Sequence, residues 1–284
     1  MQHVLTLIAR DGLSNALIAR ARDAVAGGAP DVLAADEAVD IPCPAVIDLT
    51  EVLAGHAVDW AILPAANRRK RLLIADMDST IVTSETLDEL AAHAGVGAAV
   101  AAITRRSMAG EIDFATALRE RVAMLRGLSV GALDATWAGT ALMPGAIELI
   151  RTMRANGAVT ALVSGGFTWF TGRVAQQVGF DRHHANTLHH DGTTLTGTVA
   201  EPILDRDAKR TTLLALAAEH GLTPDDALAV GDGANDLSMI QSAGLGVAYH
   251  AKPITAAAAR VRIEHCNLRA LLFLQGYRAA EIVA

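Results

Sequence analysis

Apolar and polar positions alternate along this chain in two different rhythms. Residues 3–9, HVLTLIA, read as a strand. Over residues 14–26, Leu17, Ile18, Ala21, Ala24 and Val25 share one helical face, and Gly27, Gly28 and Pro30 end that helix. Residues 31–50 are β-like but broken by Pro42 and Pro44. The pattern predicts a small α+β unit over residues 1–70, bounded by Pro64 and the basic run Arg68-Arg69-Lys70-Arg71.

The second rhythm starts at Leu72. LLIA, residues 72–75, is short and wholly apolar, as expected of a parallel strand buried on both faces. Residues 86–140 contain no strand candidate. They are alanine-rich with helical spacing and breaks near Gly95, Gly110 and Gly127, which predicts a helical insertion. After Pro144 strands and helices alternate: helix 145–155, strand Val159–Val163, a helix after Gly166, helix 206–219, strand Ala227–Val230, a further helix, and strand Leu245–Tyr249. Asp191-Gly192 marks a hairpin within residues 184–204. The expected fold class is therefore α/β, a Rossmann-like parallel sheet with helices on both faces, a helical-bundle insertion, and a small α+β N-terminal domain.

Composition narrows the function. The chain has 284 residues, 51% hydrophobic, with a formal net charge of -7, so it carries no basic footprint for nucleic acid or an anionic membrane. No apolar run approaches the roughly 18 residues of a spanning helix. Met1–Arg10 lacks the basic start of a secretory leader and meets Asp11 at once. The two cysteines, Cys43 and Cys266, offer neither a metal-ligand spacing nor a disulfide framework. A cytoplasmic enzyme is expected.

Ligands of parallel sheets bind beyond the carboxyl ends of the strands, and four candidate stations fall in or near such places. Asp76-Met77-Asp78-Ser79-Thr80 follows LLIA directly: two carboxylates two residues apart suit metal and acid–base chemistry, or simply an acidic loop. Ser164-Gly165-Gly166 follows the strand ending at Val163, where small residues let backbone amides approach an anion, or merely make a turn. Lys209 lies in the helix after Asp205 and alone would be a solvated charge. Gly231-Asp232-Gly233-Ala234-Asn235-Asp236 follows ALAV and suits oxygen coordination of Mg²⁺. It lacks the spacing of a dinucleotide fingerprint, and no GxxxxGK is present. His183-His184 and His189-His190 are expected as exposed hairpin residues.

In order and spacing these four stations resemble the haloacid dehalogenase superfamily, over residues 71–284 with a helical cap at about 86–143. The DxDST form, the cap and GDGAND together are similar to the phosphoserine phosphatases of that superfamily. The resemblance implies Mg²⁺-dependent hydrolysis of O-phospho-L-serine to serine and phosphate through an aspartyl-phosphate, the last step of serine biosynthesis. It makes Asp76 the nucleophile and Asp78 the general acid, then base. The Asp76 and Asp232 carboxylates and the Asp78 backbone carbonyl become the Mg²⁺ ligands, with Asp236 and Thr80 in support. Ser164, Gly165, Lys209 and Asn235 would hold the phosphoryl oxygens. Glu85 would meet the substrate ammonium and Arg121 its carboxylate, with Met108 and Phe114 closing the pocket; Arg119 competes with Arg121 for that role. Residues 1–70 resemble an ACT-like regulatory domain only in outline, lacking a clear second helix and a glycine-rich ligand loop, and a packing or homodimerisation appendage is the alternative. Two other readings stay open: the same fold acting on another small phosphoester or as a phosphotransferase, and a non-enzymatic phospho-receiver.

Overall fold

The computed structural model describes residues 2–108 and 111–284, the side chains of Met108 and Arg206 excepted. The N-terminal unit contains β1 (His3–Ala9), α1 (Asn15–Ala24), β2 (Asp31–Ala34), β3 (Ala38–Cys43) and β4 (Val58–Pro64). Ser14 starts α1 by accepting the Leu17 N–H. The strands form an antiparallel sheet in the order β2-β3-β1-β4. Strand β4 had no counterpart in the pattern reading. Residues 50–55, where a second helix would have completed a βαββαβ unit, form turns.

The larger sheet is built from β5 (Leu72–Ala75), β6 (Val159–Phe167), β7 (Arg182–Asn186), β10 (Ala227–Gly231), β11 (Leu245–Tyr249) and β12 (Val261–Ile263). Every pairing in it is parallel, in the order β12-β11-β10-β5-β6-β7. Strand β5 is flanked on one side by the next strand of the sheet in sequence and on the other by a much later one. Chain direction along the sheet therefore reverses there, which opens a crevice beyond its carboxyl end.

The apolar run of β5 has a structural cause. Leu73 and Ala75 join a cluster with Leu149, Ile150 and Met153 of α6 (Ala146–Ala155) and with Phe170, Val174 and Val178 of α7 (Thr168–Val178). Leu72 and Ile74 point the other way, onto Leu213, Leu216 and Ala217 of α8 (Arg206–Glu219) and Met239 and Ile240 of α9 (Leu237–Ser242). With both faces covered, no position of β5 can be polar until the strand ends. Helices α10 (Pro253–Ala258) and α11 (Ala270–Leu274) complete the chain.

The insertion is helical as expected: α2 (Thr86–His93), α3 (Gly97–Met108), α4 (Phe114–Ala123) and α5 (Gly131–Gly139). A short hairpin, β8 (Leu188–His190) and β9 (Leu195–Val199), reaches from the sheet to this cap. There the Gly127 and Val130 N–H groups donate to the Leu195 and Thr193 carbonyls at 2.9 Å, and the Leu195 N–H donates to the Leu128 carbonyl at 2.8 Å. The histidine expectation needs correction. His183 and His184 lie on β7, the edge strand of the parallel sheet, because residues 182–186 pair with β6 rather than with the hairpin. His183 is exposed, but His184 is partly buried and its Nε2 has no hydrogen-bond partner. His189 and His190 are exposed on the hairpin.

The two sheets are tied by buried polar contacts. Asp59 of β4, only 3% exposed, accepts N–H bonds from Glu264, His265 and Cys266 at 2.7–3.3 Å. Arg68 pairs with Asp40 and also donates to Thr6 and to the Phe273 and Leu274 carbonyls. Ile8, Ala38 and Ala61 share an apolar cluster with α11, while Leu5, Leu7, Leu17, Ala21, Ile41 and Leu53 form a separate core inside the N-terminal unit.

Candidate active site

At the end of β5 the chain leaves the sheet with Asp76, 5% exposed, whose backbone N–H donates to the Val230 carbonyl at 3.0 Å. Two residues on, the half-buried Asp78 accepts the Thr86 N–H at 2.9 Å on Oδ1 and the Ser164 hydroxyl at 3.1 Å on Oδ2. Burial, followed by the negative charges of Asp76 and Glu85, pushes the Asp78 carboxyl up to about 7 against the lowering effect of the Thr86 N–H. A carboxyl poised there can both give and take a proton near neutrality. Asp76 and Asp78 thus sit in different environments, one against the Lys209 ammonium and the other among the Thr86 N–H and the Ser164 hydroxyl.

Strand β6 runs on through Ser164-Gly165-Gly166 to Phe167, so this station is the last stretch of a strand and not a free turn. The Ser164 hydroxyl accepts the Gly166 N–H at 2.8 Å while donating to Asp78. A methyl group at Gly166 would lie 3.0 Å from Ser164 Oγ and 3.1 Å from Asp78 Oδ2, and one at Gly165 would lie 3.1 Å from Phe114 Cζ. The cap therefore touches the core through the Phe114 ring over Gly165. Phe114, Ser164, Gly165, Leu204, Lys209 and Asn235 line a cleft with only about 10 Å³ of free space, room for about one water.

Lys209, the most ambiguous residue in the sequence, is 2% exposed. Its ammonium lies 2.7 Å from Asp76 Oδ1 and 2.5 Å from Asp236 Oδ1. Burial works against this charge, but Asp236 and Asp76 outweigh it and hold the ammonium far above its ordinary range. The second Asp236 oxygen accepts the Gly233 N–H at 2.9 Å, so both its oxygens are engaged.

Ligand atoms of Asp76, Asp232 and Asp236, all buried, lie within 4.8 Å of one another. Since Asp236 is committed to Lys209 and Gly233, Asp76 and Asp232 are the carboxylates with capacity left. The Asp78 backbone carbonyl accepts no hydrogen bond among the described residues. Burial and then the charge of Asp76 raise the Asp232 carboxyl. Hard oxygen donors with an excess of buried negative charge fit a small divalent cation such as Mg²⁺.

Toward the cap, Glu85 precedes α2 and accepts the Ser79 hydroxyl at 2.8 Å; burial raises its carboxyl. The two candidate arginines separate clearly. Arg119 is exposed and paired with Glu201 at 2.7 Å. Arg121 is partly buried, donates only to the Ala117 carbonyl at 3.2 Å, and has no carboxylate within ion-pair distance among the described residues. Burial lowers its pKa, opposed by the charges of Asp88 and Glu85. Thr80 is fully buried with its hydroxyl unpartnered. The side chain of Met108 lies outside the described residues. Lys252, which no motif had marked, places its ammonium 3.3 Å from Asp232 and 3.8 Å from Glu85. Its sequence neighbourhood, His-Ala-Lys-Pro at the start of α10, has no distinguishing pattern; position after β11 was the only available signal.

Comparison with known proteins agrees with this geometry. The family described as haloacid dehalogenase-like hydrolase matches residues 73–241. A phosphoserine phosphatase of a Polaromonas species is 42% identical over 79% of this chain and 98% of its own length. Three other curated phosphoserine phosphatases are 41% to 45% identical, but the chain spans only 55%, 59% and 57% of their lengths. Among solved structures, a hydrolase of the same family from Salmonella enterica serovar Typhi superposes with a TM-score of 0.86 at 29% identity, covering 96% of this chain and 98% of that one. A phosphoserine phosphatase solved as a phospho-aspartyl intermediate analogue superposes with a TM-score of 0.66 at 39% identity, covering 72% of this chain and 98% of that one. With its motifs gathered at the strand ends of the matched region, the chain belongs to the haloacid dehalogenase-like hydrolases.

Proposed function

We propose that the protein is a Mg²⁺-dependent phosphatase that hydrolyses phosphoserine through a phosphorylated Asp76. The observation that carries the mechanism is the pairing of Asp76, locked to Lys209, with Asp78, a carboxyl raised to about 7 two residues along the same loop. In the first step an Asp76 carboxylate oxygen bonds to phosphorus, the bond from phosphorus to the seryl oxygen breaks, and Asp78 gives that oxygen its proton. In the second, Asp78 takes a proton from water, the water oxygen bonds to phosphorus, and the aspartyl–phosphorus bond breaks to release phosphate. Lys209, Ser164, the Gly165 amide and Asn235 surround the phosphoryl group with donors, which is the main task in phosphoryl transfer. Asp76, Asp232 and the Asp78 carbonyl would hold Mg²⁺, which supplies neutralisation of charge on the phosphoryl oxygens.

Substrate choice rests on two features. One is the similarity to phosphoserine phosphatases over most of the chain. The other is the opposition of Glu85 and the unpaired Arg121 at the cap, counter-charges for an ammonium and a carboxylate. Residues 1–70 are read as a separate folding unit with its own core, docked on the catalytic domain. A reducing, cytoplasmic setting is supported by Cys43 and Cys266, both buried and free. No helix among the described residues is long and apolar enough to cross a membrane.

The test is phosphate release with Mg²⁺ from L-phosphoserine, phosphothreonine, phosphohomoserine and p-nitrophenyl phosphate. Phosphoserine should be preferred, Asp76→Asn should abolish turnover, and Arg121→Ala should raise KM for phosphoserine with little change for p-nitrophenyl phosphate. Equal turnover of all four esters would discard the substrate and keep the chemistry. A stable phosphorylated Asp76 without turnover would indicate a phospho-receiver.

A further inference from the structure

We propose that Lys252 sets the charge balance of the site, competing with the divalent cation for Asp232 while drawing the anionic substrate toward the acidic cluster. This rests on the reading of Asp232 as a metal ligand.

The two lysines of the site are built differently. Lys209 is enclosed between Asp76 and Asp236 and cannot move without leaving two buried carboxylates unpaired. Lys252 has a fixed stem and a free tip. Its backbone N–H donates to the Asp232 carbonyl at 3.0 Å, and Pro253 starts α10 directly after it. Two residues earlier His250 turns the chain in the left-handed region, φ 42. That turn is held from both sides: the His250 N–H donates to the Ile263 carbonyl at 2.8 Å, and Nε2 donates to the Cys266 carbonyl at 2.9 Å. The Lys252 side chain itself is 52% exposed. Its ammonium nevertheless faces carboxylates from two different motifs, Asp232 at 3.3 Å and Glu85 at 3.8 Å.

An exposed lysine ion pair ordinarily contributes little. Here one partner is a buried carboxylate whose free oxygen is wanted by the metal, and a cation beside a metal ligand opposes the metal by Coulomb repulsion. The same charge, half-exposed beside the carboxylates of Asp232 and Glu85, favours the approach of a phosphate dianion. The two effects have opposite signs, and that distinguishes this role from a structural one.

The experiment is isothermal titration calorimetry on the full chain as wild type, Lys252→Met and Lys252→Arg. Mg²⁺ is titrated first, then inorganic phosphate in saturating Mg²⁺, each at low and at 0.5 M salt. Lys252→Met should bind Mg²⁺ roughly 3- to 10-fold more tightly and phosphate more weakly by a similar factor. Both changes should shrink in high salt, and Lys252→Arg should restore wild-type values. If Lys252→Met weakened both ligands together, or left Mg²⁺ affinity unchanged, the proposal would be overturned. Both readouts are binding constants, so a wild type that binds these ligands but spares phosphoserine would sink only the substrate assignment.

Discussion

Replacing Gly231 by alanine should damage the site through a single buried carboxylate. Gly231 ends β10, and a methyl group there would sit 2.3 Å from Asp236 Cγ and 2.4 Å from its Oδ2. Ordinary contacts start near 3.4 Å, so Asp236 must retreat by about 1 Å. It has no free space to do so, because it is fully buried, with Lys209 on one oxygen and the Gly233 N–H on the other. Overpacking costs about 1–3 kcal/mol, and weakening hydrogen bonds to a buried charge costs about 1.5–3 kcal/mol more. A total of roughly 2.5–6 kcal/mol is a large share of the stability of a typical protein. Retreat of Asp236 also drags Lys209 away from Asp76, and misplacement of a reacting group by 1 Å costs about 10²-fold in rate. The assay is urea denaturation paired with kcat for phosphate release. Gly139→Ala is the control, since that residue ends α5 with nothing within 4 Å of an added methyl and should be neutral or slightly stabilised. If Gly231→Ala kept wild-type stability and kcat within twofold, the reasoning from Asp236 would be refuted.

Three further outcomes are expected. Asp59→Ala leaves the Glu264, His265 and Cys266 N–H groups without their acceptor and should cost about 3–5 kcal/mol in denaturant unfolding, a loss that Asp59→Asn only partly recovers. Burial, then the charges of His183 and Arg182, lowers the His184 pKa below 6.5, so the unfolded chain takes up that proton first; the stabilising contribution is present above 6.5 and is lost as pH falls below it. His184→Leu should therefore flatten the decline in melting temperature between pH 7 and pH 5 relative to wild type. Arg119→Ala, in contrast to Arg121→Ala, should leave KM for phosphoserine unchanged, because Arg119 is spent on the exposed Glu201; a rise in KM would reassign the carboxylate role.

Much of the catalytic half is legible in the chain because β5 and β10 are buried on both faces. Their residues must be apolar until the strand ends, so the first acids, Asp76 and Asp232, stand out by contrast. The same logic misled at Ser164, where β6 continues to Phe167 although its composition turns small and polar. At His183-His184 pairing with β6 overrode local composition, since an edge strand needs only one partner and tolerates polar side chains. Strand β4 escaped notice because Trp60, Ile62 and their neighbours follow a long irregular stretch.

The sequence alone therefore determined the fold class, the helical insertion and the order of the acidic stations, because these follow from periodicity and from where apolar runs stop. Pairings between distant side chains were decided only by the tertiary structure. Lys209 becomes a site residue when α8 packs on the sheet and brings its ammonium between Asp76 and Asp236. Arg121 is distinguished from Arg119 by its burial and because the loop after β9 supplies Glu201 to Arg119 alone. Lys252 gains its place from the left-handed turn at His250, and the N-terminal unit gains its anchorage from Asp59. Electrostatic energy depends on separation in space and on burial, and neither is encoded by spacing along the chain.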